Sequence, residues 1–418
     1  MNASHPHINQ AVILAGGLGT RLRPLTDQIP KPMIPFHGRP FAAFLLEKLK
    51  EQGIQEVVFL LGYLSHVVEE FFGDGKRFGI SIRYSVQPIE AETGSRLRAA
   101  LPLLDDAFLL MYCDNYWPLS LRRMETFWHM TSCEAMLTIY SNSDHFTRDN
   151  VQVSPEGKIL VYDKSRSAPG LAGVDIGFGF FRRRHVECLP EGNVSFEKSL
   201  YPLLVERGQL AGYVSDHRYY SVGSIDRLDT TARFLKFEPA ILLDRDGVLN
   251  VKAPRGEYVC TPEEFQWLPG AREALARITA AQFRIFIVSN QAGIARGALT
   301  QADLEAIHEK MLREAAAAGA RIDGVYVCPH GWDENCACRK PKPGLLFQAQ
   351  KEHSLDLSRT WFLGDDERDL TAGHAAGCPC GLVTAEVPLH TWLDRILPPD
   401  LQQANHGSEH STQTPNPI

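Results

Sequence analysis

The segment from Cys328 to Gly344 constrains the fold of this chain more than any other stretch, because it concentrates metal ligands in a short loop. The candidate ligands are Cys328, His330, Cys336 and Cys338. Thiolates and an imidazole in two close pairs are typical ligands of a tetrahedral zinc ion. A disulfide is the alternative, but the rest of the chain has cytosolic features, and cytosolic thiols stay reduced. Four protein ligands leave no open position, so the pattern predicts a structural Zn²⁺ site that holds the adjacent Arg339 and Lys340 in place.

The size and charge of the chain limit its class. A length of 418 residues exceeds what one hydrophobic core normally supports, so two domains are expected. A formal net charge of -7 disfavours a dedicated nucleic-acid binder and still permits local phosphate pockets. The first residues lack the pattern of a secretory signal, and no apolar run approaches the length of a membrane span. The sequence therefore predicts a cytoplasmic enzyme with small-molecule partners and without nucleic-acid or membrane partners, while homo-oligomer formation stays open.

The first half of the chain alternates short apolar runs with longer amphipathic ones, which predicts β-α-β units and a mostly parallel sheet. The predicted strand at residues 11–15 leads directly into a glycine-rich loop, and the strand at 107–112 ends just before Asp114. Backbone N–H groups in such a loop approach a phosphate closely, although a tight turn is the alternative. Ligands of open α/β sheets bind at the carboxyl ends of strands, so this edge is a candidate site.

The segment LAGGLGTRLRPLTDQIPKPM resembles the signature of the sugar-1-phosphate nucleotidyltransferases, and the similarity extends over residues 1–237. In that family, a sugar 1-phosphate oxygen attacks the α-phosphorus of a nucleoside triphosphate and pyrophosphate leaves, which depends mainly on positioning and charge neutralisation. The resemblance implies that Gly16, Gly17 and Gly19 contact the nucleotide and that Arg21 and Lys31 stabilise its phosphates. It also implies that Asp114 ligates Mg²⁺ and that Lys164 contacts the sugar phosphate. A solvated surface lysine is the alternative for Lys164.

The first half also departs from the pattern of this family. Glu92-Thr93-Gly94-Ser95 stands where Gly-Thr-Ala-Gly is common, and Cys113 precedes Asp114 where Gly is usual. Ser221 stands where the family has a second metal-binding Asp, and a hydroxyl is a poor substitute for a carboxylate on Mg²⁺. One hypothesis is that Asp114, water and substrate phosphates suffice to hold the metal. The rival hypothesis is that this domain binds a sugar nucleotide without making one.

The second half repeats the pattern of a strand followed by acidic residues. The apolar run at 240–243 leads into DRDGVLN, which places Asp244 and Asp246 just past a strand end. One carboxylate of such a pair can attack phosphorus while the other transfers the proton, and the pair can share a Mg²⁺ ion. An Asp-x-Asp turn without function is the alternative. Further donors, cations and acids follow in a consistent order, as Ser289-Asn290-Gln291, Arg339-Lys340 and Gly364-Asp365-Asp366.

Together with SNQAGIARG, CACRKPKPG and LGDD, this set resembles the haloacid dehalogenase-like phosphatases, in particular the branch of heptose bisphosphate phosphatase and histidinol phosphatase. The resemblance implies Asp244 as nucleophile and Asp246 as general acid/base. It implies that Ser289 and Lys340 stabilise the transferring phosphoryl group and that Asn290, Gln291 and Arg339 contact the substrate. The implied Mg²⁺ ligands are Asp244, the Asp246 carbonyl and Asp365. Asp366 has two interpretations, a second acidic residue of the site or a charge at a helix N-terminus.

The expected fold is α/β, with two Rossmann-like domains. A nucleotidyltransferase fold is predicted for residues 1–237, a haloacid dehalogenase-like fold for 238–398, and a disordered polar tail for 399–418. The interval between Asp246 and Ser289 is too short for a large cap domain, so short loops are expected to control access to the site.

The two halves suggest one pathway. Removal of the 7-phosphate from D-glycero-D-manno-heptose 1,7-bisphosphate yields a sugar 1-phosphate, which is the substrate class of the first half. The sequence thus predicts a bifunctional enzyme of nucleotide-activated heptose synthesis, with GTP as donor by resemblance to guanylyltransferases and with Mg²⁺ and Zn²⁺ as cofactors. The alternatives are a phosphatase joined to a non-catalytic sugar-nucleotide-binding module, and a histidinol phosphatase, since that branch shares the zinc motif.

Overall fold

The computed structural model describes residues 7–397, so the predicted tail at 399–418 lies outside the described residues. Two compact units divide the chain, the first ending at Lys236 and the second beginning at Phe237. None of the helices in the described part of the chain combines the length and apolar character that a membrane span requires.

The first unit contains thirteen strands and seven helices in its described part. The strands are β1 (Gln10–Ala15), β2 (Pro35–Phe36), β3 (Arg39–Pro40), β4 (Glu56–Leu61), β5 (Ser81–Val86), β6 (Ala107–Tyr112), β7 (Asn115–Tyr116), β8 (Ala135–Tyr140), β9 (Val151–Val153), β10 (Ile159–Tyr162), β11 (Val174–Arg182), β12 (Leu210–Ser215) and β13 (Tyr220–Ser221). The helices are α1 (Phe41–Glu51), α2 (Ser65–Phe72), α3 (Thr93–Ala99), α4 (Leu121–Met130), α5 (Arg183–Glu187), α6 (Phe196–Glu206) and α7 (Ile225–Leu235).

Seven of these strands form the central sheet of the first unit, in the order β12-β8-β11-β6-β1-β4-β5. Strand β11 runs antiparallel to β6 and β8, and the other pairs are parallel. Strands β1, β4, β6 and β8 are largely apolar and almost entirely buried because separate hydrophobic clusters cover the two faces of the sheet. Leu14 of β1 pairs with Tyr112 of β6, so the glycine-rich loop and Asp114 begin side by side at the carboxyl edge. The predicted mostly parallel α/β fold is confirmed.

The second unit has five strands and five helices in its described part. They are β14 (Ala240–Leu243), α8 (Ala271–Ala280), β15 (Arg284–Asn290), α9 (Gln301–Ala317), β16 (Gly324–Cys328), α10 (Gly344–His353), β17 (Trp361–Gly364), α11 (Glu367–Ala376), β18 (Cys380–Leu382) and α12 (Leu389–Ile396). The strands form a fully parallel sheet in the order β16-β15-β14-β17-β18. Because β14 lies between β15 and β17, the residues that follow these three strands meet at one edge. Between β14 and β15 the chain forms one helix, α8, and no cap domain.

Candidate active site

The second unit has a cleft at the carboxyl edge of its sheet, with a volume of about 1200 Å³. Five separate stretches of the chain line it, beginning at Asp244, Lys252, Ser289, Gly331 and Asp365. Parallel strands end at the same edge, which is why the motifs after β14, β15 and β17 converge here. The cleft therefore collects the acidic, hydroxyl, amide and cationic side chains that the sequence singled out.

A buried lysine between two carboxylates forms the centre of this cleft. The Nζ atom of Lys340 lies 2.8 Å from Asp244 Oδ1 and 2.7 Å from Asp369 Oδ1. It also donates to the carbonyl of Val288 at 2.9 Å. Burial raises the pKa of Asp244 to about 7, against the lowering effect of Lys340. Burial disfavours the Lys340 ammonium, but the two carboxylates outweigh it and raise the pKa of Lys340. The ammonium is thus directed at the carboxylate predicted to attack phosphorus.

Asp246 is held by several donors. Arg245 donates to both of its carboxylate oxygens at 2.9 Å, Asn250 donates to Oδ1 at 3.0 Å, and Gln291 donates to Oδ2 at 2.7 Å. Burial favours the neutral acid, but Arg245 and the other donors lower the pKa of Asp246. Gln291 also donates to Ser289 Oγ at 2.8 Å, which couples two predicted site residues. This arrangement gives Asp246 a single orientation.

Asn290 connects the end of β15 to the segment that contains Lys340. Its Nδ2 donates to the Lys340 carbonyl at 3.1 Å, and its Oδ1 accepts from the Lys340 backbone N–H at 3.1 Å. Both polar ends of the predicted substrate-binding amide therefore contact protein. Arg339, the neighbouring cation, lines the cleft and donates to the carbonyl of His330 at 3.3 Å.

Three carboxylates near the strand ends could hold a metal ion. Asp244, Asp365 and Asp369 each offer an oxygen, and these oxygens lie within 4.8 Å of one another. Asp365 Oδ1 is buried without a hydrogen-bond partner among the described residues, while its Oδ2 accepts from Lys252 at 2.6 Å. Burial raises the pKa of Asp365, as expected for a carboxylate short of donors. Carboxylate oxygens are the ligands that Mg²⁺ prefers, and a buried unpaired oxygen is costly unless a cation meets it, so this set fits Mg²⁺.

A glycine makes this cluster sterically feasible. Gly247, just after Asp246, has a φ of +94°, which favours glycine over other residues. A Cβ atom at this position would lie 2.2 Å from Asp365 Oδ2. The Gly in DRDG thus allows the two acidic motifs to approach each other.

Asp369 is a candidate functional residue that sequence reasoning missed. Its Oδ2 accepts from the Asp366 backbone N–H at 3.1 Å, while its Oδ1 pairs with Lys340. Asp366 is the N-cap of α11 and lies outside the carboxylate cluster, so the helix-terminus interpretation fits it. Hydrogen bonding by Arg368 lowers the pKa of Asp366. The sequence feature that could have identified Asp369 is an additional Asp within one helical turn after the LGDD motif.

The four predicted zinc ligands converge in one loop. Neighbouring ligand atoms are separated by 3.2–3.6 Å along the path Cys328, His330, Cys338, Cys336 and back to Cys328. Zinc–sulfur bonds of about 2.3 Å at tetrahedral angles place sulfurs about 3.8 Å apart, close to this spacing. All three cysteines are free thiols, as are Cys378 and Cys380. The donor set and its compactness fit Zn²⁺, and the disulfide alternative is not realised in this structure.

In the first unit, the glycine-rich loop and Asp114 lie at the carboxyl edge of the sheet. Gly19 has a φ of +65°, and a Cβ atom on Gly16 would lie 2.4 Å from the guanidinium carbon of Arg96. Gly17 has open space where a side chain would be. Lys31 Nζ lies 3.2 Å from Asp114 Oδ2, so the structure brings a predicted cation and a predicted metal ligand together.

The other predicted residues of the first unit surround this edge less closely. Ser221 pairs with Asn115 across β13 and β7, next to Asp114, and its Oγ accepts from the Gly223 N–H at 3.0 Å. A Cβ on Gly223 would lie 3.8 Å from an Arg21 nitrogen, which places exposed Arg21 near Ser221. Lys164 is largely exposed, with its Nζ 4.0 Å from buried Glu197.

Two family models match the chain. The model described as nucleotidyl transferase matches residues 10–143, and the model described as HAD-hydrolase-like matches residues 337–406. These matches confirm the two resemblances that the motifs predicted and the order of the two enzyme classes along the chain.

Similar curated proteins align with about a third of the chain. D-glycero-beta-D-manno-heptose-1,7-bisphosphate 7-phosphatase of Bordetella bronchiseptica is 43% identical over 143 residues, which is 34% of this chain and 79% of that protein. The phosphatase of the same description from Helicobacter pylori J99 is 40% identical over 161 residues, 37% of this chain and 89% of that protein. The one from Pseudomonas aeruginosa is 41% identical over 158 residues, 38% of this chain and 87% of that protein.

Two solved structures are similar to parts of the chain. A crystal structure of the B. bronchiseptica D,D-heptose 1,7-bisphosphate phosphatase complexed with magnesium and phosphate is 40% identical, covers 38% of this chain and 89% of its own, and has a TM-score of 0.35. HddC from Yersinia pseudotuberculosis is 20% identical, covers 55% of this chain and 100% of its own, and has a TM-score of 0.48.

Proposed function

The chain belongs to the family of D-glycero-beta-D-manno-heptose-1,7-bisphosphate 7-phosphatases, and from this we propose a bifunctional enzyme of nucleotide-activated heptose synthesis. Residues 238–398 hydrolyse the 7-phosphate, and residues 1–237 transfer a nucleotidyl group from GTP to the resulting sugar 1-phosphate. The observation that supports this best is the buried Lys340 between Asp244 and Asp369, in a cleft whose motifs match this phosphatase family.

The phosphatase reaction proceeds in two steps on this chain's own residues. An Asp244 oxygen forms a bond to phosphorus while the bond from phosphorus to the sugar oxygen breaks. The negative charge of the bound phosphate counteracts the donors that lower the pKa of Asp246, so Asp246 carries a proton and gives it to that oxygen. A water molecule then attacks phosphorus, its proton returns to Asp246, and the bond to Asp244 breaks. Lys340 and Ser289 stabilise the negative charge of the transferring group, and Arg339 holds the substrate phosphate.

The two metal ions have different proposed roles, one in the reaction and one in the structure of a loop. Asp244, Asp365, Asp369 and the Asp246 carbonyl would hold Mg²⁺, which neutralises phosphate charge when bound. Cys328, His330, Cys336 and Cys338 would hold Zn²⁺ as a structural ion. We also propose a cytoplasmic location, where the reducing environment keeps these thiols available.

The proposed roles in the first unit come from its resemblance to the nucleotidyltransferases, and the contact between Lys31 and Asp114 supports them. Gly16, Gly17 and Gly19 hold the nucleotide through backbone N–H groups, Arg21 and Lys31 neutralise its phosphates, and Lys164 contacts the sugar phosphate. Asp114 holds Mg²⁺ with water and substrate oxygens. The alternative, a binding module without catalysis, is favoured by Ser221, which offers a hydroxyl beside Asp114 where a second carboxylate would strengthen metal binding.

Replacing Asp114 with Ala is expected to lower pyrophosphate release from GTP and heptose 1-phosphate by about 100-fold or more, because the carboxylate that neutralises Lys31 and meets the metal is lost. Steady-state pyrophosphate release measures it. Asp229→Ala, an exposed residue on α7, is the matched control and should retain activity. Equal turnover in the wild type and Asp114→Ala would contradict the role of Asp114, and a wild type inert towards every triphosphate would favour the binding module.

Ser221→Asp should lower the Mg²⁺ concentration needed for half-maximal transfer, since it adds a carboxylate beside Asp114. A titration of the rate against Mg²⁺ for the variant and the wild type measures this. An unchanged midpoint would show that Ser221 does not face the metal.

The substrate of the phosphatase unit is tested by comparing phosphate release from heptose 1,7-bisphosphate and from histidinol phosphate. We expect a kcat/KM at least about 100-fold higher for the heptose bisphosphate, because a mismatched substrate leaves buried polar groups of the cleft unpaired. A preference for histidinol phosphate would remove the heptose pathway and leave the aspartyl-phosphate mechanism in place.

A further inference from the structure

Trp332 is a large aromatic side chain that the proposed reaction does not use. It lies in the loop between His330 and Cys336 and is 63% exposed, although it lines the cleft. An exposed indole at the wall of a cleft is informative, because burying it would release much apolar surface from water.

The orientation of this indole is fixed by a neighbouring loop. The guanidinium carbon of Arg296 lies over the ring at 3.9 Å from its centroid, a cation–π contact that engages one face. Two backbone hydrogen bonds join the loops of Trp332 and Arg296. The Gln291 N–H donates to the Cys328 carbonyl at 2.8 Å, and the Ala295 N–H donates to the Pro329 carbonyl at 3.2 Å. The indole is thus presented by two connected loops.

The cleft is larger than the reacting group requires. One continuous cavity of about 1200 Å³ has Asp244 and Lys340 in its wall as well as Trp332. A cavity of this size accommodates a whole drug-sized ligand, so the part that holds Trp332 is available to the portion of the substrate that does not react.

We propose that Trp332 is a specificity-determining residue that stacks against the carbon-bound hydrogens of the substrate's sugar. The face of an indole is electronegative, and the C–H groups of a sugar carry partial positive charge, so the two surfaces are complementary. This inference rests on the proposed function of the phosphatase unit. Because the sugar contacts Trp332 equally before and during phosphoryl transfer, the residue acts on substrate binding, and its loss changes KM and not kcat.

The test compares Trp332→Ala, Trp332→Phe and the wild type on heptose 1,7-bisphosphate and on acetyl phosphate, which has no sugar. Trp332→Ala should raise KM for the heptose bisphosphate by about tenfold, the size expected for one lost aromatic contact, and Trp332→Phe should recover most of it. The effect on acetyl phosphate should be several-fold smaller. In the inactive Asp244→Asn background, addition of the sugar bisphosphate should change the fluorescence of the Trp332 protein more than that of the Trp332→Phe protein.

Three outcomes overturn the inference. The first is an equal effect on both substrates, which would indicate a structural role for the loop. The second is a change confined to kcat. The third is a change of oligomeric state in Trp332→Ala, which would indicate that the indole contacts a second copy of the chain. If the wild type does not hydrolyse heptose 1,7-bisphosphate but hydrolyses other sugar phosphates, the proposed function is wrong and the inference on Trp332 is still undecided. The inference on Trp332 is then decided by the same comparison on the preferred sugar phosphate.

Discussion

Replacing Asp244 with Asn is expected to lower phosphate release from heptose 1,7-bisphosphate by about 10⁴-fold or more, the loss typical of removing a catalytic nucleophile. The amide is a poor nucleophile, and it no longer presents a charged oxygen to Lys340, which lies 2.8 Å away in the wild type. The loss should appear in kcat, because bond formation to phosphorus is the step that is removed. Steady-state phosphate release and a single-turnover experiment measure it.

Two controls make this result specific to the nucleophile. Asp303→Asn makes the same chemical change at an exposed position of α9, outside the cleft lining, and should retain phosphatase activity. Nucleotidyl transfer by the first unit should persist in Asp244→Asn, since its proposed residues lie in the other unit. Retention of more than about a tenth of the phosphatase activity, against the losses known for nucleophile removal, would exclude Asp244 as nucleophile.

Replacing Cys338 with Ser is expected to release the zinc ion and to reduce phosphatase activity by about 100-fold or more, with a loss of several kcal/mol in the free energy of unfolding of the second unit. The physical reason is the position of Lys340, the proposed catalytic lysine. Lys340 follows Cys338 by two residues and is buried against Asp244, so a loosened loop misplaces the ammonium. Zinc content by mass spectrometry, activity and thermal unfolding measure the effect.

Cys188→Ser is the matched control for this prediction, because Cys188 is exposed and lies in the first unit. It should leave the zinc content and the phosphatase activity unchanged. A fully active wild-type protein that contains no zinc would contradict the structural role of the ion, and so would a Cys338→Ser protein that keeps full activity.

The sequence predicted the positions of those candidate site residues that directly follow the end of a strand. Asp114, Asp244, Ser289 and Asp365 follow apolar runs, and parallel strands bring such residues to one edge. The same reasoning placed the glycine-rich loop beside Asp114, since β1 and β6 are neighbours in the sheet. The grouping of the four candidate zinc ligands was predictable because all four lie in one short loop.

The residues that were missed depend on contacts between distant parts of the chain. Asp369 is explained locally by a capping box with Asp366, and nothing in that spacing indicates that its other oxygen pairs with Lys340. The buried Arg245 that orients Asp246 and the Lys252 that pairs with Asp365 are likewise visible only once the strands are assembled. The contacts of two predicted site residues are also visible only in the structure: the amide of Asn290 donates to the Lys340 carbonyl, and the amide of Gln291 donates to Asp246.

The central claim is that one chain removes the 7-phosphate and then activates the remaining 1-phosphate. The most direct test incubates the purified protein with heptose 1,7-bisphosphate, GTP and Mg²⁺ and follows all products by mass spectrometry. The account predicts phosphate, pyrophosphate and a GDP-heptose, with the GDP-heptose absent from the Asp244→Asn reaction and restored there by added heptose 1-phosphate. Accumulation of heptose 1-phosphate without any nucleotide-linked sugar, with GTP or with any other triphosphate, would contradict it.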